Sequence, residues 1–169
     1  MAVTLRDFTA EDAELMHRWF NDPVITEQLM ERRETFSEED ARRWVERALD
    51  TEGNDRKWIV ELDGRPIGFS ALYGVHHAQA PELGIVIGER SAWGGGVGTE
   101  GMRLTIARGF DELGIHRVLE LMLTDNERPR RVAEKLGFKL EGIMRSHVRR
   151  DGVLHDVAVY GLLPEDFQR

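Results

Sequence analysis

The stretch Trp93-Gly94-Gly95-Gly96-Val97-Gly98-Thr99-Glu100-Gly101 constrains this chain more than any other. It follows an apolar, strand-like run, Leu83-Gly84-Ile85-Val86-Ile87, and opens a helix-like run from Met102 to Leu113. Glycines between a strand and a helix leave backbone N–H groups bare, and without Cβ atoms a phosphate oxygen can approach the main chain closely. The unpaired amides of a first helical turn, with the positive end of the helix dipole, favour an anion at that point. The loop reads as a pyrophosphate cradle.

Gly96-x-Gly98-x-x-Gly101 formally satisfies the dinucleotide fingerprint, and Asp125 ends the next strand-like run. That fingerprint carries weight only inside a series of parallel strand–helix–strand units. Here Asp63-Gly64 and Asp151-Gly152 look like hairpin turns between extended runs, which makes antiparallel pairs. Too little chain follows Asp125 to complete a doubly wound sheet. No Gly-Lys-Ser/Thr ends the glycine run, which excludes a P-loop.

The 169 residues suggest one domain over residues 1–169, large enough for a substantial core. No apolar run approaches the ~20 residues of a membrane span, and Met1–Arg6 has no signal-peptide character, so a cytoplasmic protein is expected. The chain has no cysteine, which removes disulfides, thiolate zinc sites and an acyl-cysteine mechanism. A net charge of −8 argues against nucleic acid and mildly favours cationic substrates. His116, His147 and His155 have no ligand-like spacing, so no metal is expected.

Thr4 to Phe8 alternates as a strand, and a helix is expected from the Thr9–Asp12 cap to Phe20, burying Leu15, Trp19 and Phe20. Asn21-Asp22-Pro23 stops it. A second helix runs from Ser37 to Leu49 with Ala41, Trp44, Val45 and Ala48 on one face. A hairpin of 57–62 and 66–73, a loop with His76 and His77, and the strand 83–87 follow. After the glycine loop and its helix come a strand 117–123, a short helix 127–136 closed by Gly137, and two strands flanking Asp151-Gly152.

Several separated motifs together resemble the GNAT superfamily of acyl-CoA N-acyltransferases, nearest its ribosomal-protein (Rim-type) and polyamine N-acetyltransferase branch. They are Glu82–Gly88, Trp93–Glu100, Leu113–Val118, Asn126 with Glu134–Phe138, Glu141-Gly142, and the tail Asp151-Gly152, Asp156-Val157 and Gly161–Leu163. The resemblance implies a single-domain α/β (α+β) fold, a mixed, mostly antiparallel sheet splayed between its fourth and fifth strands and flanked by helices. It implies acetyl-CoA as co-substrate, with pantetheine in the splay against Val86 and Ile87. The pyrophosphate would rest on the amides of Gly94, Gly95, Gly96, Val97, Gly98 and Thr99. Asn126 would bond pantetheine or loop backbone. Of Arg90, Arg128, Arg130 and Arg131, Arg131 is the choice for the 3′-phosphate. Trp93 stands at a position usually held by Gln or Arg and is expected to pack, without touching phosphate.

The chemistry that the resemblance implies is direct transfer of an acetyl group to a primary amine. The acceptor would be a protein N-terminal α-amine or a small cationic amine such as a polyamine or an amine antibiotic, and a homodimer is compatible with this branch. An amine attacks a thioester only when neutral. Deprotonating a lysine-like ammonium at pH 7 costs about 4.6 kcal/mol, but an α-amino group costs only about 1.4 kcal/mol. Glu82, opening the fourth strand, is the candidate general base, and His76 and His77 are secondary ones. The acidic segment Glu31–Asp40 lies where relatives receive the acceptor, though such a run usually forms a solvated face. Where the branch often carries Ser and Tyr as proton donors to the leaving thiolate, this chain has Pro129 and Ala133; water or Tyr73 would have to serve. A catalytically weak or inactive acyl-CoA-binding module is the alternative reading.

Overall fold

The computed structural model describes residues 2–27, 29, 35–76 and 80–169. Seven strands form one sheet: β1 (Val3–Asp7), β2 (Asp55–Leu62), β3 (Arg65–Tyr73), β4 (Glu82–Ile87), β5 (Val118–Leu123), β6 (Lys139–Arg150) and β7 (Val153–Leu162), in the order β1-β2-β3-β4-β5-β7-β6. The β2–β3 and β6–β7 hairpins turn on Asp63-Gly64 and Asp151-Gly152. All four of these residues have positive φ, from 49° to 78°, as a tight two-residue turn requires. Every strand pair is antiparallel except β4–β5. Those two strands share a single parallel register pair, Glu82 with Leu119, beside a bond from the Leu119 amide to the Pro81 carbonyl at 2.9 Å. Beyond that junction they part, so the expected splay between the fourth and fifth strands is present. From Leu83 onward the β5-facing edge of β4 has no strand partner.

Among the described residues five helices cover the sheet: α1 (Ala13–Phe20), α2 (Pro23–Thr26), α3 (Glu38–Leu49), α4 (Val97–Asp111) and α5 (Glu127–Leu136). One cluster gathers Met16 and Trp19 of α1 and Ala41 and Val45 of α3 against Ile59 and Phe69 of the sheet. Another joins Met102 and Ile106 of α4 with Ala133 and Leu136 of α5, over Leu72, Leu83, Val118 and Met122. Each fully buried Ile, Leu or Val in these layers contributes about 1.5–3 kcal/mol. The stripe of α1 differs from the expected one. Met16 and Trp19 are fully buried, whereas Leu15 and Phe20 are only half-buried. A 3-10 turn over Ala10–Asp12 precedes α1 and sets its rotation, and sequence periodicity does not reveal that turn. Asn21 ends α1 as expected, but Pro23 also begins α2, where the Asp22 side chain accepts from the Val24 amide at 2.9 Å.

The largest departure concerns α4. It starts at Val97, five residues before the expected Met102, with Gly96 as its N-cap at φ +79°. Glycine is a poor helix former, yet packing favours the early start. Val97, Gly101, Met102 and Thr105 are buried, and a Cβ on Gly101 would come within 3.0 Å of Ile85 Cδ1. Gly109 is tighter still, with Leu72 Cδ1 at 2.9 Å from a Cβ placed there. Two of α4's glycines therefore serve close packing of helix on sheet. No helix among the described residues is long and apolar enough to cross a membrane.

Candidate active site

A cavity of about 650 Å³ opens where β4 and β5 part. One wall is β4 from Glu82 to Ile87, the other is β5 from Glu120 to Leu123, and the glycine turn with the start of α4 closes one end. Asn126, Arg128, Pro129 and Val132 of the α5 region and Arg150 of β6 complete the lining, with Ile25, Glu27 and Leu29 reaching over from the α2 segment.

The glycine turn has the character of an anion cradle. Gly94, Gly95 and Gly96 all have positive φ (96°, 28° and 79°), a backbone that residues with a Cβ rarely adopt, and a Cβ on any of them would meet open space. The first intrahelical bond of α4 runs from the Glu100 amide to the Gly96 carbonyl at 3.0 Å. The amides of Val97, Gly98 and Thr99 thus precede the helical ladder and lie at its positive end, beside the cavity that all three residues line. Gly98 differs from the three before it. It sits in the first helical turn, where a Cβ would meet only Ile87 Cγ1 at an ordinary 3.7 Å. The indole of Trp93 donates to the Ile87 carbonyl at 2.9 Å, tying the turn to the end of β4. Trp19 lies over Gly88 and donates to Glu89 at 2.9 Å, and Arg18 pairs with the same carboxylate, so α1 braces that corner from the other side.

Of the remaining residues singled out from sequence, the cavity brings together Glu82, Val86, Ile87, Gly94, Gly96 and Asn126. Gly95 belongs to the turn without lining the cavity. Asn126 is the N-cap of α5, but its side chain makes no capping bond to that helix. Arg131 lies elsewhere: it is exposed on α5 and paired with Glu127 at 2.8 Å. Arg128, three residues earlier, is the arginine of that helix that lines the cavity. Helical geometry explains the exchange, because Arg128 and Val132, four residues apart, share the face of α5 turned to the splay, and Arg131 lies off that face. Arg90 pairs with Asp22 at 3.2 Å and Arg130 lies 3.9 Å from Glu134.

His76 is exposed, 3.2 Å from Arg56, and does not line the cavity. His77 and residues 31–34 of the acidic segment lie outside the described residues. At the end of that segment Asp40 caps α3: Ser37 and Arg43 hold its carboxyl low, at about 2. Tyr73 is not part of the cavity lining. Its phenol, beside the Lys57 ammonium 5.4 Å from the ring, is pushed up to about 12 by burial and by the charges of Asp55 and Glu82. Among the described residues no group of three or more His, Cys, Asp or Glu is placed to hold a metal ion.

Two carboxyl groups mark the closed end of the splay. Glu82 is half-buried at the junction, and burial raises its carboxyl above the ordinary range. Glu120 was not singled out from sequence. It lies one residue past the junction on β5 and is 9% exposed, and its Oε2 has no hydrogen-bond partner among the described residues. Burial, and then the charge of Glu82, push it up to about 8. The available signal was one acid in the inward phase of Val118-Leu119-Glu120-Leu121-Met122, a position that alternation reserves for an apolar side chain.

A family profile described as acetyltransferase (GNAT) domain matches residues 2–139. YoaA of Bacillus subtilis, an uncharacterized N-acetyltransferase, is 31% identical over 95% of this chain and 93% of its own. The spermidine N(1)-acetyltransferase of Escherichia coli K12 is 29% identical over 53% of this chain and 48% of its own. Among solved structures, spermidine N-acetyltransferase from Vibrio cholerae in complex with CoA and spermine superposes with a TM-score of 0.87 at 20% identity, covering 97% of this chain and 96% of that one.

Proposed function

The chain belongs to the GNAT acetyltransferase family and is an acyltransferase. From that premise we propose that it transfers an acetyl group from acetyl-CoA directly to a primary amine, with small cationic amines of the polyamine type as the favoured acceptors. The observation that carries the cofactor is a splay with a helix N-terminus in a glycine turn at one end and a carboxyl pair at the other. Anionic phosphate suits the first and a reacting amine the second. The unpartnered edge of β4 around Val86 supplies main-chain groups for pantetheine amides, and Arg128 supplies positive charge to the same cavity. Asn126, with no capping bond to make, is available to the same chain of atoms.

Acidic side chains line the cavity, Glu27 and Glu82 beside the protonated Glu120, which suits a cationic acceptor. The polyamine enzymes among its relatives support the same class. Glu82 acts as general base. A carboxyl raised by burial moves towards the operating pH, where proton transfer is most effective. It takes the proton that the attacking nitrogen loses as the new amide bond forms.

The test is release of CoA thiol by the purified chain with polyamines, aminoglycoside-type amines and N-terminal peptides, for wild type and Glu82→Gln. With an alkylamine acceptor, turnover of the Gln variant should fall ~10²–10⁴-fold at neutral pH with acetyl-CoA affinity kept. A loss that shrinks towards pH 8 would reassign the acceptor to α-amines, which are largely neutral there. No CoA release with any amine would leave an acyl-CoA-binding module, and no acetyl-CoA binding would refute the reading altogether.

A further inference from the structure

Glu120 is a buried carboxyl in the cavity wall that the transfer, as derived so far, does not use. Its neighbours on the same face of β5, Val118 and Met122, are core residues, and Tyr160 of β7 stands opposite it in register. A polar atom buried without a partner is costly, so such a position holds an acid only where the acid has something to do. The departing CoA thiolate needs a proton, and the positions that the sequence offered for that role do not supply one. Pro129 lines the cavity without an O–H, Ala133 is in the core, and Tyr73 is outside the lining.

The geometry points to Glu120 as the proton donor to the sulfur of the departing CoA. It stands one residue beyond the junction where β4 and β5 part, in the β5 wall of the cavity that Glu82 also lines, with a carboxyl oxygen that has no hydrogen-bond partner among the described residues. This rests on the acetyltransferase reading above. The amine nitrogen forms a bond to the thioester carbonyl carbon, and the nitrogen's proton passes to the Glu82 carboxylate. The C–S bond breaks, its electron pair goes to sulfur, and the Glu120 carboxyl proton follows it there. Glu82 ends protonated and Glu120 ionised, and one proton returned through water restores both.

The charged and titratable groups around Glu120 agree with a neutral acid. The charge of Glu82 on β4 opposes its ionisation, and Tyr160 stands opposite it in register on β7. Arg128 of α5 and Arg150 of β6 line the same cavity, but neither forms an ion pair with Glu120. Glu27 adds a third acid to the lining. Burial among these groups keeps Glu120 protonated up to about pH 8. Two neighbouring carboxyls that resist being ionised together can divide base and acid duties between them.

The experiment compares wild type, Glu120→Gln and Glu120→Asp in kcat from pH 6 to 10, with acetyl-CoA affinity by calorimetry and folding by thermal melting. Glu120→Gln should bind acetyl-CoA as wild type does and lose ~10²–10⁴-fold in kcat at pH 7. Wild-type kcat should fall on the alkaline side through about pH 8, the Gln variant should lack that limb, and Asp should keep it at reduced rate. A merely structural carboxyl would not move the limb. Wild-type kinetics in Glu120→Gln would overturn the donor. So would a wild-type rate that climbs through pH 8, which would mean that Glu120 works ionised as a base or an ammonium anchor. A wild type that binds acetyl-CoA yet releases no CoA refutes the transfer reading, and the donor with it. Active wild type beside an unaltered variant refutes the donor alone.

Discussion

Glu120 should make the fold lose stability as pH rises, and the loss can be sized. The carboxyl titrates near 4.5 in an open chain and is pushed up to about 8 in the fold, first by burial and then by Glu82. The folded state therefore binds that proton more tightly than the unfolded chain does. The stability this contributes is full below pH 4.5 and is lost as pH rises through about 8. At 1.36 kcal/mol per tenfold change in proton affinity, ionising Glu120 inside the fold costs about 5 kcal/mol. Water entering the cavity as the charge forms relieves part of that, so roughly 2–5 kcal/mol should be measured. That is a large share of the ~5–15 kcal/mol holding a typical domain. Glutamine has nearly the same shape and no charge at any pH. Urea unfolding of wild type and Glu120→Gln without ligand, in steps from pH 4.5 to 9, isolates the group, because other titrations cancel in the difference. Glu120→Gln should gain on wild type steadily up to pH 8 and hold a constant lead above it. Two stability curves running parallel from pH 5 to 9 would show that Glu120 ionises as if solvated. They would also remove the neutral acid on which the donor role depends.

Two further substitutions separate fold from ligand contact. Gly96→Ala forces a Cβ into φ +79°, which costs about 1–2 kcal/mol in urea unfolding as well as acetyl-CoA affinity. Gly98→Ala, in an uncrowded first turn of α4, should leave stability unchanged or raise it by up to ~1 kcal/mol, yet weaken acetyl-CoA at least tenfold by calorimetry; unchanged affinity would place the phosphates away from that amide. Away from the cavity, Asp12 takes both Arg6 guanidinium nitrogens at 2.7 and 2.8 Å and the Thr9 amide at 2.8 Å, so Asp12→Ala should cost about 2–4 kcal/mol without altering acetyl-CoA binding.

The parts of this molecule that were legible in the sequence are those written in local chemistry. Asp-Gly pairs turn hairpins because their backbone tolerates positive φ, and Gly137 closes α5 at φ +97° for the same reason. The glycine turn could be placed between β4 and α4 because few other uses explain three consecutive glycines there. What local chemistry does not carry is rotation. Whether α1 buries Leu15 or Met16 depends on a three-residue 3-10 turn ahead of it, and whether Arg128 or Arg131 meets the cavity depends on which face of α5 turns to the splay. A rotation of one residue on a helix is 100°, enough to exchange cavity for solvent.

Glu120 escaped for a different reason. In an alternating strand, an inward acid looks like a break in the pattern, and only the separation of β4 from β5 turns that break into a wall of a cavity. The same separation explains why acid–base groups gather there. A parallel pair that stops after one register position leaves main-chain groups of β4 without partners, and the acids at its apex are half-buried at Glu82 and buried at Glu120. The first consequence suits an extended ligand rich in amides. The second raises Glu82 and Glu120 together, and because each opposes the other's charge, the two cannot easily be ionised at once. One topological break thus supplies both a binding edge and a pair of carboxyls that resist being ionised together. The glycine turn, braced by Trp93 from within and by Trp19 and Arg18 from α1, fixes how far from that pair an anion can sit.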